Sequence, residues 1–375
     1  MDPLGPIARR FPLVARPRPA CTPLETRVGE LCALADSAER DSNQTSASAV
    51  YNQAALLASD VGLPDLARQW CHRHAAVCLR ARPLGAQAAR HALEPLVNLA
   101  RLHIRDGNAD TALQLLSSLY EAVTRRTDVV IDGLLVPAAT LTGTAEDHQE
   151  LRKWLWTVLL ADGGRALTSA GRWSDALTHL QQHKGIGTRM LDGRQVAVIA
   201  SATANNTDNA LALLRDSAHG EPWAEAVTAC LTVLCRRYAD LPVEQDATTM
   251  LDRHQQLDPT PQLAVFHTRL DLSVIDALGG LDRAAAHSIT ADLIHRTMAV
   301  RDGYAARDVL AHDSCASMLT ARQARDLTEL VEACGLGQHK IPAELRAGLS
   351  AALGTSEAVL SGALNTRPAD VNLPR

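Results

Sequence analysis

The sequence predicts an all-α fold of paired helices that stack on one another. Three observations point there. Leu, Ala and Val supply the apolar bulk, since aromatics make up only 3% of the chain and Phe occurs twice; Leu and Ala favour helix, and Ala-rich contacts let helices approach closely. Short Gly, Asp or Asn breaks separate the helical stretches. Finally, a turn residue followed five positions later by Ala recurs along the chain.

In chain order, residues 1–24 carry Pro3, Pro6, Pro12, Pro17, Pro19 and Pro23 among several Arg, which predicts a flexible, extended tail. The first copy of the repeat holds Tyr51, Ala55, Gly62, Ala67 and Cys71. The second holds Leu99, Ala100, Gly107, Ala112, Leu116 and Leu119. After it, residues 128–142 are apolar and β-branched around Asp132-Gly133, which predicts an inserted hairpin or ordered loop, either covering a binding surface or plugging a packing gap. A third copy runs through Gly164, Leu167, Gly171, Ala176 and Leu180. Looser copies centre on Asn205 with Ala210 and on Gly279 with Ala284, and the interval between them has room for one more pair at roughly 222–256. Residues 366–375, with Pro368 and Pro374, predict a second flexible tail.

Small residues belong where two helix backbones come closest, and the turn residue must accept a conformation that bulkier residues resist. One such pair cannot bury its own apolar face, so several must stack. Over roughly residues 45–330 this pattern resembles the tetratricopeptide repeat. The resemblance implies a right-handed α-solenoid of about six or seven helix pairs, forming a single helical-repeat domain over 25–365. The chain is also similar in look to the sensor halves of bacterial helix-turn-helix regulators.

Composition excludes several functions. A net charge of -5 argues against a nucleic-acid partner recruited by bulk positive charge. Only three of the 37 basic residues are Lys, which marks a GC-rich, bacterial coding genome before it marks a function. The eight Cys show no C-x-x-C pair, so free thiols in a reducing cytoplasm are expected. There is no apolar run of membrane-spanning length and no export signal after Arg9-Arg10. Dinucleotide, P-loop, zincin and nucleophile-elbow motifs are all missing; Gly185-Ile-Gly187 lacks the third Gly and a preceding strand.

Three clusters invite a metal or DNA reading, and each has a plainer one. Asp175, His179 and His183 share one helix face, as a metal site could require, or as the exposed polar face of a second helix would. Cys71, His74 and Cys78 fall at i, i+3 and i+7, which is also an apolar stripe, and Cys230 and Cys235 suit a core. Leu319 to Leu327 begins like a helix-turn-helix unit, but Gly335, Gly337 and Pro342 interrupt where a recognition helix should follow. No metal and no cofactor is expected.

The tetratricopeptide resemblance implies a groove lined by the first helix of each pair. Its slots map to Asn98, Arg101 and Arg105 before Gly107, to Asp162, Arg165 and Ser169 before Gly171, and to Asn52, Gln53 and Asp60 before Gly62. Asn can pair with a peptide backbone and Arg can clamp a carboxylate or phosphate; a solvated helix face would look the same. The expected function is a non-enzymatic peptide- or protein-binding scaffold, acting as adaptor, sensor or accessory factor on an acidic partner. A homo-oligomer is an open possibility. The alternative is an enzyme on the same scaffold with an unassigned active site.

Overall fold

A computed structural model gives the fold and describes residues 1–280 and 283–365. The fold is all-α, with 72% of the described residues helical. Strand among the described residues is confined to Val129–Ile131 and Leu134–Val136, an antiparallel hairpin that turns on Asp132 and Gly133 at φ 50° and 82°. The expected insertion is therefore a hairpin.

All five expected turn residues adopt the left-handed conformation: Gly62 at φ 88°, Gly107 at 78°, Gly171 at 73°, Asn205 at 57° and Gly279 at 90°. Four are Gly, which lacks the Cβ that penalises this region, and Asn tolerates it better than most residues. On either side of each turn the helices pack on one another. Gln44–Val61 meets Pro64–Cys78, Ala86–Arg105 meets Ala109–Arg125, and Gly164–Ser169 meets Trp173–Gln182. Asp192–Thr203 meets Thr207–Arg215, and Ala264–Leu278 meets Ala284–Val300. The interval between the last two holds Pro222–Arg237 packed on Glu244–Gln255.

Ala67, Ala112, Ala176 and Ala210 are each 0% exposed, as close backbone approach requires. Ala284 is not. Gly279 and Gly280 are both left-handed (φ 90° and 88°), which delays the next helix until Ala284 itself. Ala284 is exposed, and Ala286, at 0% exposure, takes the packing position.

Where one domain over 25–365 is expected, the chain divides into two compact units. One comprises Met1–Pro23 with Leu160–Leu336, the other Leu24–Leu159 with residues from Gly337 onward. In the second unit, the C-terminal helix Ala343–Asn365 packs against Leu24–Arg40 and Gln44–Val61. The hairpin belongs to this unit as well. Ile131 and Val136 point inward at 3% and 0% exposure, while the cross-strand pair Val130 and Leu135 is exposed. Asp132 at the turn pairs with Arg68 and accepts or shares a proton with His72 Nε2 at 2.8 Å. Burial works against that carboxylate, but the two partners outweigh it and hold its pKa below the ordinary value.

The N-terminal segment is no loose tail. Its prolines do keep most of it out of helix and sheet, yet it runs through the first unit as a packed strap. Ala8, Phe11, Leu13 and Cys21 are buried. Trp173 Nε1 donates to the Pro3 carbonyl at 3.0 Å, and Arg10 pairs with Asp276 at 2.5 Å. The wholly buried Gln195 brackets Leu13, accepting from its N–H at 2.6 Å and donating to its carbonyl at 2.7 Å. Asp302 accepts from the Cys21 N–H at 2.9 Å. Buried polar side chains thus satisfy an extended backbone that has no ladder of its own. The expected tail at 366–375 lies outside the described residues.

Candidate functional site

The expected groove residues fall in both units: Asn52, Asn98, Arg101 and Arg105 in one, Asp162 and Arg165 in the other. Within their unit the first three meet. Helices Gln44–Val61 and Ala86–Arg105 pack side by side, and a chain of hydrogen bonds crosses between them. Asn52 Nδ2 donates to Glu94 at 3.1 Å, Asn98 Nδ2 donates to Asn52 Oδ1 at 2.9 Å, and Arg101 donates to Asn98 Oδ1 at 3.0 Å. Asn52, Asn98 and Arg101 thus meet across the two helices. Arg105, one turn on, is committed elsewhere. Its guanidinium donates to Ser59 at 2.8 Å and to Asp60 at 2.9 Å. The Asp60 side chain is only 2% exposed and also takes Arg27 at 2.7 Å, so it sits between two positive charges.

Asp162 differs from expectation. It is buried, in the π-helical turn Leu159–Gly163 that precedes the short helix Gly164–Ser169. The wider turn carries its side chain inward instead of onto an open face.

Arg165 lies in a small cleft of about 60 Å³ that sequence spacing does not reveal. The strap contributes Arg16 and Arg18, helix Ala264–Leu278 contributes Arg269, and Asp192 is the one carboxylate among the lining residues. Arg16 pairs with Asp192, and Arg269 Nε donates to Asp308 at 3.0 Å. Four guanidinium groups therefore gather around one small space, two of them already matched by carboxylates, Arg16 by Asp192 and Arg269 by Asp308. At roughly 30 Å³ per water, the space suits a group the size of a carboxylate or phosphate oxygen cluster.

A second cavity in the same unit, of about 250 Å³, was not foreseen at all. Three helices and a loop close around it. Asp271, 3% exposed, stands at its centre: His254 Nε2 lies 2.6 Å from one carboxylate oxygen, and Arg296 pairs with the other. His267, one turn before Asp271, is 6% exposed, and its Nε2 is buried with no hydrogen-bond partner. Burial, helped by the nearby Arg296 and His254 and opposed by Asp271, keeps the His267 pKa below its ordinary value. Asp292, on the helix that carries Arg296, lines the same cavity and is exposed. Each pair is legible as i, i+4 spacing on one helix, but nothing in the sequence says that residues 254, 271 and 296 meet.

The remaining clusters resolve locally. Cys71 and His74 are buried at 2% and 1% exposure, as a core stripe requires. Burial pushes the Cys71 and Cys78 thiols up to about 12, where they are inert at neutral pH. Cys230 and Cys235 are likewise core, at 0% and 2%. His179 departs from the exposed face expected of it: it is 7% exposed, with its ring 4.9 Å from that of His183, while Asp175 turns to Arg172 at 2.7 Å. No protein-family model matches the chain, and comparison with curated proteins and with solved structures found no match either.

Proposed function

We propose that this chain is a binding scaffold of the tetratricopeptide kind, a right-handed α-solenoid of six or seven helix pairs that captures an acidic group of a peptide or protein partner at the cleft around Arg165. One observation carries the reading: Arg16, Arg18, Arg165 and Arg269, from three separate stretches of chain, line a single small space. Each carries a donor fork suited to oxyanions. Capture of an acidic group by guanidinium donors is partly electrostatic and fades as salt rises. Within the other unit, the Asn52–Asn98–Arg101 chain supports peptide binding on its own account, because amide side chains can pair with an extended peptide backbone.

A fluorescent hexaglutamate peptide tests it. Each engaged guanidinium contributes on the order of 1.5–3 kcal/mol, so Arg165→Gln should weaken binding about tenfold or more with an unchanged melting temperature. Equal binding by an Arg16→Gln/Arg165→Gln double variant ends the proposal. The enzyme alternative draws on the other cavity, where an Asp-held imidazole has the form of a general base. Turnover in a hydrolase substrate screen, lost in His254→Gln, would favour it over the scaffold.

A further inference from the structure

The cavity around Asp271 has features that the binding-scaffold reading leaves unused. Its size lies just below the usual range for drug-sized ligands, at about 250 Å³, so its occupant is a small metabolite. Its walls divide by chemistry. Leu251, Leu257, Pro259 and Ile289 supply an apolar side, whereas His254, Asp271, Asp292 and Arg296 gather on the polar side.

The charges on that polar side are not balanced internally. Asp271 forms its ion pair with Arg296, and His254 Nε2 lies 2.6 Å from its other carboxylate oxygen. Arg296 uses Nη2 for this pair, and no other ion pair of its guanidinium is seen among the described residues. Asp292 stands four residues before Arg296 on helix Ala284–Val300, a spacing at which oppositely charged side chains ordinarily meet. They do not pair here, because Arg296 is drawn to Asp271. One carboxylate and the remaining donors of one guanidinium therefore face the same cavity about one helical turn apart. A purely anionic ligand would meet Asp292 with no spare positive charge to offset it. A purely cationic one would leave the remaining Arg296 donors without an acceptor. A molecule carrying both charges on neighbouring atoms, with an apolar remainder, meets every wall.

We infer that this cavity binds a free α-amino acid with an aliphatic side chain: its carboxylate on Arg296, its ammonium on Asp292, and its side chain against Leu251 and Ile289. The site is independent of the arginine cleft, so either can fail alone.

Isothermal titration with L-leucine, isoamylamine and 4-methylvalerate tests the inference. Leucine should bind, and the amine and the acid, each lacking one charge, should bind at least tenfold more weakly. Asp292→Asn should weaken leucine tenfold or more. Because Asp292 is exposed and makes no ion pair among the described residues, that variant should melt like the parent. Arg296→Gln should do the same to leucine; should it lose the fold through Asp271, Asp292→Asn alone decides. No heat with leucine, equal affinity for either analogue, or undiminished leucine binding by Asp292→Asn each overturns the inference.

Discussion

His74 is a histidine that the fold holds neutral, and acid should exploit this. It is 1% exposed, its Nε2 lies 3.1 Å from Ser48 Oγ, and its ring stacks on Tyr51 with centroids 4.9 Å apart at 16°. Nδ1 is buried without a partner, so a second proton would place an unsatisfied charged donor in the core. Burial, with a smaller contribution from His91, accordingly lowers the pKa from 6.5 to about 3. The unfolded chain then binds the proton more tightly than the folded one. Stability from this group is complete above pH 6.5 and is lost as pH falls towards 3, at about 1.4 kcal/mol per unit. Between pH 6.5 and 4.5 the loss amounts to about 2 kcal/mol. His91, His148 and His267 are also lowered by burial and contribute in the same direction, so the variant must isolate His74. In His74→Gln the titration disappears while a polar partner for Ser48 remains. Urea denaturation followed by circular dichroism at both pH values should show the parent losing about 2 kcal/mol more than the variant. Parallel losses would show that this ring is not held neutral by the fold.

Three further outcomes follow from packing and charge. Ala112→Leu and Ala176→Leu, both at fully buried helix contacts, should overpack and cost roughly 1–3 kcal/mol each in denaturant titrations. Gly62→Ala should destabilise more than Gly107→Ala: both force a left-handed Ala, costing about 1–2 kcal/mol, but only at Gly62 would the new Cβ meet another residue, His339 Nδ1 at 2.7 Å, and the difference is read in melting temperature. Asp60→Asn leaves Arg27 buried beside a neutral amide and should cost about 3–5 kcal/mol, whereas Arg105→Met, at a side chain 42% exposed, should cost about 1 kcal/mol or less.

The turn positions were legible because their requirement is local. A left-handed residue between two apolar helical stretches needs Gly or Asn, and that need shows in one-letter code. The hairpin was legible for the same reason, since Asp132-Gly133 and alternating Val, Ile and Leu define both turn and faces. Asn52, Asn98 and Arg101 were within reach because spacing from two such turns carries them onto neighbouring helices. The strap was misread because proline content reports what the backbone cannot form, not what it rests against. Its anchors, Gln195 and Asp302, lie far along the chain.

By itself, then, the sequence determined the helices, their turns, the small residues at closest approach and the one hairpin, all of which depend on neighbours within a few positions. Only tertiary structure decided that the chain closes into two compact units, that Arg165 shares a cleft with Arg16 and Arg18, and that Asp271 gathers His254 and Arg296. The physical reason is range. A charge is matched, and a cavity enclosed, by whichever distant segment the packing of apolar faces delivers. That delivery depends on the energy of the whole arrangement, not on any spacing along the chain.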